Sequence, residues 1–373
     1  MRHTIHRIAP ENRKMPNSIP EVLKAFAAGE IVVVTDDEDR EGEGDLIVAA
    51  SLCTSEKMAF IIRHTSGIVC APLTVEDARR LRLDPMVAHN DSNHTTAFTV
   101  SIDYKPGMTT GISADERVAC CRALANPNAG AADFARPGHI FPLIAREGGV
   151  LLRSGHTEAA VDLCKLTDLP PVGVISELMN DDGTVMKGQQ VADFARKHNL
   201  KHVTIADMIA YRQAREKLIE RVSTFTTDSP IGPLKGYAYR SPFDPVYHAA
   251  FVYNGVGDGK GVLTRIHKPN VIKDIFFSSR RLEKVLERFK ANGSGVLVYL
   301  RDGVVGVPVA PLEQQHHSTE EDRHRQWREV GIGAQILRDL GVTSIRHLTS
   351  AVHAYKGLSG YGIEIVGNEP FES

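Results

Sequence analysis

The chain has 373 residues, enough for two domains and a sizeable buried core. With a formal net charge of -2 and 24% charged residues it carries no field that would recruit nucleic acid or an anionic membrane. No apolar run approaches the roughly 20 residues that cross a bilayer, and residues 1–20 lack the apolar core of a signal peptide, so a cytoplasmic protein is expected.

Taken in chain order, Ser18-Ile19-Pro20-Glu21 reads as a capping box opening a helix with Val22, Leu23, Phe26 and Ala27 on one face, stopped by Gly29. A short buried strand is expected over 31–34, a helix over 56–63, a strand over 68–71 and a helix over 75–81. Thr96, Phe98, Val100 and Ile102 alternate with smaller or polar residues, the pattern of a half-buried strand. Ser113-Ala114-Asp115-Glu116 is a second capping box, with its helix running through Leu124. Strand, helix and strand follow at 150–152, 158–166 and 172–176, and Thr204 caps a helix reaching about Leu218. The first half is thus a mixed α/β domain. Ser, Thr, Pro and Gly crowd residues 223–245, which reads as a linker. Strands at 249–252, 261–266 and 295–300 and helices at 281–290 and 333–340 predict a second α/β domain. Cys53, Cys70, Cys120, Cys121 and Cys164 are odd in number with no Cys-x-x-Cys pair, which fits reduced thiols better than disulfides or a zinc site.

The segment 36–45, Asp-Asp-Glu-Asp-Arg-Glu-Gly-Glu-Gly-Asp, carries most of the chemical information. Hard divalent cations want carboxylate oxygens gathered at one point, and magnesium takes one or two of them while keeping waters. Gly42 and Gly44 let the backbone aim those side chains together, and Arg40 can neutralise part of the charge or grip a substrate oxygen. A solvated acidic turn is the plain alternative. Against it stands the position: the loop leaves a buried strand and enters the apolar run 46–50, where mutual repulsion is costly without a counter-ion.

Arg153-Ser154-Gly155-His156-Thr157 leads into a helix, whose first N–H groups make an anion site with Arg153 adding charge. His156 has a ring nitrogen to offer a metal; a helix cap with an incidental histidine is the other reading. Thr110-Gly111-Ile112-Ser113 is a weaker anion-site candidate, equally explained by capping. Cys70 at the end of an apolar strand, His139 in a turn before the run 140–144 and Glu177 at a strand end each have an ordinary structural explanation when taken singly.

Together these segments resemble one family, 3,4-dihydroxy-2-butanone 4-phosphate synthase. The resemblance rests on the 36–45 loop, His-Thr-Ser-Gly-Ile-Val-Cys (64–70) and Thr-Thr-Gly-Ile-Ser-Ala-Asp-Glu-Arg (109–117). It rests equally on Arg-Pro-Gly-His-Ile-Phe-Pro-Leu (136–143), Arg-Ser-Gly-His-Thr-Glu-Ala (153–159) and Glu-Leu-Met-Asn-Asp-Asp-Gly-Thr (177–184), collinear over about residues 18 to 215. Gly42 departs from the larger residue the family commonly has there. The resemblance implies a synthase domain over 1–222, magnesium or manganese as cofactor with two ions per site, and Glu41 and His156 as metal ligands. It places Arg40, Glu41, Asp45, Cys70, Arg153, Ser154, Gly155, His156, Thr157 and Glu177 on the substrate, D-ribulose 5-phosphate. It makes His139 and Glu177 essential, puts Glu43 beside the site, and implies a homodimer with sites at the subunit interface. The product is a four-carbon phosphate, with formate released. Glu177 or a carboxylate of the acidic loop is the candidate base for the C3 proton, with His139 as acid–base partner.

Residues 246–373, beyond the expected linker 223–245, resemble GTP cyclohydrolase II. The resemblance is clearest at Gly-Ile-Gly-Ala-Gln-Ile-Leu-Arg-Asp-Leu-Gly-Val (331–342), again at 357–366, and at Thr264-Arg265-Ile266-His267. That family binds zinc through three cysteines, and here the aligned positions are Asn270, Arg281 and Glu283, with no cysteine after Cys164. Arginine repels a cation and asparagine is a poor zinc ligand, so no zinc is expected and the domain reads as structural or regulatory. Two alternatives are a nucleotide-binding regulatory module and a rebuilt site that still hydrolyses GTP. His316, His317 and His324 read as a polar surface stretch rather than a metal site.

Overall fold

The computed structural model describes residues 17–36, 42–92, 96–217, 219–241, 244–267, 280–301, 331–349 and 363–370. The chain divides into two compact units, one of residues 1–150 and 154–208 and one of residues 151–153 and 209–373, each built on a seven-stranded sheet.

In the first unit the strands are β1 (Val32–Thr35), β2 (Gly44–Ala49), β3 (Cys70–Leu73), β4 (Ile102–Tyr104), β5 (Phe134–Ile144), β6 (Gly173–Glu177) and β7 (Lys201–Thr204), in the order β4-β5-β3-β6-β2-β1-β7. The sheet is mixed: β1 pairs antiparallel with β2 and parallel with β7, β2 and β3 are antiparallel to β6, and β3 runs parallel to β5. One face presents Val33, Leu46, Val48, Ala71 and Val174 to Met58 and Ile61 of α2 (Ser55–His64), Leu124 of α4 (Ala114–Leu124) and Phe194 of α6 (Gln189–Lys197). Each Val, Leu, Ile or Met side chain fully buried here stabilises the fold by about 2 kcal/mol relative to exposure. The other face carries α5 (His156–Leu166), which packs on β2, β3 and β6, with α1 (Ile19–Ala27) beside it. The close approach of α5 needs a glycine in β6: a Cβ on Gly173 would come within 2.8 Å of the Ala160 methyl. Between α2 and β4 lies α3 (Val75–Arg80), and α7 (Ile205–Arg215) follows β7.

Both capping boxes form. The Glu21 carboxylate accepts from the Ser18 N–H and hydroxyl at 3.0 and 2.8 Å. Ser113 accepts from the Glu116 N–H at 3.2 Å and donates its hydroxyl to the Glu116 carboxylate at 2.9 Å.

The second unit orders β14-β13-β11-β12-β10-β9-β8. These are β8 (Glu220–Thr227), β9 (Leu234–Ser241), β10 (Asp244–Tyr253), β11 (Val262–His267), β12 (Gly295–Tyr299), β13 (Ser344–Thr349) and β14 (Glu364–Pro370). Ala250, Val262, Ile266, Val296 and Val298 pack under Ile332, Ile336 and Leu337 of the helical stretch 331–339. Leu263, Leu297 and Leu348 meet Val285 and Phe289 of α8 (Arg281–Asn292) on the opposite face. Both units are mixed α/β, as expected.

Several local expectations are corrected. The stretch 223–245 is no linker, because β8, the edge strand of the second sheet, and its neighbour β9 pair along it. Their Ser and Thr side chains alternate without a buried stripe on β8, which is exposed along nearly all its length. Residues 149–151 form a single 3-10 turn instead of a strand. The alternating segment 96–102 contributes only bridges, Thr99 to Pro85 and Phe98 to Leu143, before β4 begins. Cys70 opens its strand rather than ending it, and His139 lies inside β5 rather than in a turn. The helix expected to reach Leu218 ends at Arg215; Leu218 lies outside the described residues.

Candidate active site

The antiparallel register of β2 and β6 sets Asp45 opposite Glu177, and that of β3 and β6 sets Cys70 opposite Ile175. Because Leu46, Ala71 and Val174 point into the α2–α4 core, strand alternation puts Asp45, Cys70, Ile175 and Glu177 on the face that α5 covers. At the start of α5, His156 is 7% exposed and its Nδ1 stands 3.7 Å from Asp45 Oδ1, with Asp45 itself 2% exposed. A strand, a neighbouring strand and a helix N-terminus thus converge on one point.

The turn before α5 is held from below. Glu158 accepts from the Arg146 N–H at 3.1 Å and Asp162 from the Val150 N–H at 2.8 Å, fixing the lead-in to Arg153 and Ser154. Gly149, at φ +62, has no room for a Cβ because the Asp162 carboxylate occupies that space. Gly155 is the N-cap, so the N–H groups of His156, Thr157 and Glu158 open the helix without intrahelical partners, the arrangement that attracts an anion. Arg153 and Ser154 are half-buried, and Gly155 and Thr157 buried.

The acidic loop is closed at its neck: Asp36 Oδ1 accepts from the Glu43 N–H at 2.9 Å, and Glu43 Oε1 lies 3.3 Å from Lys187 Nζ. Gly42 has φ +65, a backbone region that suits glycine. Arg40 and Glu41 lie outside the described residues. Among the described residues no group of three or more His, Cys, Asp or Glu side chains is arranged to hold a metal. The carboxylate of Asp45 and the imidazole of His156 nonetheless make a donor pair suited to a hard divalent cation, needing further oxygens from elsewhere.

His139 keeps different company. Its Nδ1 lies 2.7 Å from Asp103 Oδ2, and its N–H donates to Asp103 Oδ1 at 2.9 Å. Asp103 is 5% exposed, and Gly111, at φ +81, abuts its carboxylate where any side chain would collide. Nδ1–H directed at Asp103 leaves Nε2 as the ring atom able to exchange a proton. Nothing in the sequence marked Asp103, since it meets His139 only through the pairing of β4 with β5. Glu116 collects hydrogen bonds from the N–H and hydroxyl of Thr109 and from the Thr110 N–H, fastening the Thr109–Ser113 loop to α4; the Thr109 bonds, with those of Ser113 and Gly111, draw its carboxyl down to about 2.

Cys70 is 4% exposed, and burial, reinforced by the charges of Glu177 and Asp45, pushes its thiol well above the ordinary range. It lines the site as a neutral, apolar group. Of the sequence-predicted residues, then, the structure gathers Asp45, Cys70, His156, Thr157 and Glu177, and sets His139 with Asp103, across β3 from Glu177.

In the second unit, Arg281 and Glu283 fall in the first turn of α8, where Glu283 Oε2 is 3.7 Å from Arg280 Nε. A surface ion pair stands at one of the expected thiolate positions; Asn270 and the histidines 316, 317 and 324 lie outside the described residues.

Residues 20–211 match the model of the 3,4-dihydroxy-2-butanone 4-phosphate synthase family and residues 220–370 that of GTP cyclohydrolase II. The chloroplastic bifunctional riboflavin biosynthesis protein RIBA 1 of Arabidopsis thaliana is 45% identical over 96% of this chain and 69% of its own length. Among solved structures, RibBX of A. baumannii, a two-domain 3,4-dihydroxy-2-butanone 4-phosphate synthase, is 35% identical with a TM-score of 0.77, covering 94% of this chain and 99% of that one. A 3,4-dihydroxy-2-butanone 4-phosphate synthase in complex with two magnesium ions is 48% identical with a TM-score of 0.53, covering 53% of this chain and 98% of that one.

Proposed function

This chain belongs to the 3,4-dihydroxy-2-butanone 4-phosphate synthase family of riboflavin biosynthesis, with a GTP cyclohydrolase II-type domain fused behind it, and from that premise we propose how its residues divide the work. The first unit converts D-ribulose 5-phosphate to 3,4-dihydroxy-2-butanone 4-phosphate and formate. The observation that carries this is the convergence of Asp45, Glu177 and the α5 N-terminus with His156 on one sheet face. Arg153, Ser154, Gly155 and Thr157 bind the phosphate through charge and the helix N–H groups. Arg40 and Asp45 contact the sugar, and Cys70 bounds it.

Glu177 is the base that takes the C3 proton beside the ketone. His139, with Asp103 behind it, donates and recovers protons at Nε2 during water loss and formate release. Glu41 and His156 would hold magnesium or manganese, as two ions per site, and the metal would supply Lewis-acid stabilisation of negative charge on the substrate oxygens. The magnesium-bound relative supports this reading. The active form is a homodimer in the cytoplasm, with D-ribulose 5-phosphate as its small-molecule substrate and no zinc expected.

The second unit is structural or regulatory. Arg281 and Glu283 at thiolate positions support that reading, as does the two-domain synthase RibBX. Glu177→Gln tests the assignment. It is expected to lower kcat by about 10³-fold or more, near the range for a positioned base, while substrate still binds by calorimetry. Near-normal turnover would remove Glu177 from the mechanism.

A further inference from the structure

The carboxylate of Glu177 stands at the last residue of β6, and a glutamate there has rotational freedom worth about 1.5–2 kcal/mol in entropy, too loose for a base that must meet one particular proton. In this structure it is not loose. Ser66 Oγ lies 2.7 Å from Glu177 Oε2, and the Ser66 N–H donates to the Glu177 carbonyl at 2.9 Å. The protons can be assigned. Ser176 Oγ donates to the Ile68 carbonyl at 2.9 Å, and Ser66 Oγ accepts from the Ile68 N–H at 3.3 Å. The single Ser66 hydroxyl hydrogen therefore goes to the nearer, charged acceptor, Glu177, rather than to Ser176 at 3.3 Å.

The segment that presents Ser66 is itself clamped. Thr65 Oγ1 donates to the Ile61 carbonyl at 2.7 Å and accepts from the Gly67 N–H at 3.3 Å. From α4, Arg117 reaches the Gly67 carbonyl with Nη1 at 3.2 Å. Arg117 is 6% exposed and makes no ion pair among the described residues. A buried guanidinium bonded to a backbone carbonyl is costly to the fold and fixes the loop that it grips.

We propose that Ser66, locked in place by Arg117, is a positioning residue that holds one oxygen of Glu177 and leaves Oε1 aimed at the substrate's C3 hydrogen. This rests on the reading of Glu177 as the base. With Oε2 occupied, the carboxylate has one productive face, and the attack geometry is set before substrate arrives.

The test is steady-state kinetics of formate release by the full chain carrying Ser66→Ala, Ser66→Cys or Ser66→Thr, with Glu177→Gln alongside. Ser66 is exposed, so each change has room. Ser66→Ala and Ser66→Cys, which lack a good donor, are expected to lower kcat by about 10- to 100-fold with KM within about threefold, and Ser66→Thr to restore kcat to within about threefold of the parent. Full activity in Ser66→Ala, or equal loss in Ser66→Thr, overturns the proposal; if Glu177→Gln is inactive in the same series, the reading of Glu177 survives that failure. An active Glu177→Gln instead sinks the underlying reading.

Discussion

The two units use the same structural grammar, a seven-stranded sheet with helices on both faces, yet they treat their polar positions differently. In the first, Asp45, His156 and Glu177 stand where neighbouring strand ends and a helix N-terminus meet. In the second, Arg281 and Glu283, the positions where the sequence resemblance places zinc-binding thiolates, are a cation and a carboxylate paired with Arg280 at the surface. Strand β11 ends instead in His267 stacked on Tyr299, ring centroids 5.6 Å apart. The apolar residues that make the sheet are intact in both. On the reading proposed above, fold and chemistry are maintained by separate sets of residues.

The largest effect expected on the active side of this comparison, after loss of the base itself, comes from Asp103. Asp103→Asn keeps the shape beside Gly111 but no longer fixes Nδ1–H of His139, and kcat is expected to fall about 10²-fold with substrate affinity retained. A kcat within twofold of the parent would separate His139 from acid–base work and narrow the contrast between the units.

The second unit is expected to betray its different character in stability. Burial, with Arg265 adding repulsion, pushes His347 down to about 4. A histidine depressed in the folded state contributes stability that is complete above its unfolded value near 6.5 and is lost as pH falls toward 4. The second unit should therefore weaken by on the order of 2–3 kcal/mol across that window, and His347→Leu should flatten the dependence. Equal acid sensitivity in the leucine variant would assign the effect to other groups. The smallest expected effect is also informative: Glu283→Ala, which removes the surface pair with Arg280, should leave formate release within about twofold of the parent, since such a pair contributes less than about 1 kcal/mol.

How much of this was legible in the sequence follows from how local each feature is. Ser18 with Glu21 and Ser113 with Glu116 close within one helical turn, and both helices begin where their capping boxes predict. The runs 31–34 and 172–176 are apolar enough to identify buried strands, and β1 and β6 lie there within a residue or two. β5 went unread because Pro137 and Gly138 interrupt its pattern, and only pairing with β3 and β4 holds it extended. β8 escaped for the opposite reason: no face of it is buried, so no alternation is written into it. The site's primary residues were visible through family resemblance. Their supports, Asp103 and Ser66, were not, because each meets its partner across 36 and 111 residues of chain.

The claim on which the account stands is that carbon chemistry belongs to the first unit and that the second has none of its own. Formate release from D-ribulose 5-phosphate by the full chain, with and without magnesium, measured beside GTP consumption in the same preparation, tests it most directly. The account predicts magnesium-dependent formate from the pentulose phosphate and unchanged GTP. Turnover of GTP, or an inert pentulose phosphate in the presence of magnesium, would contradict it.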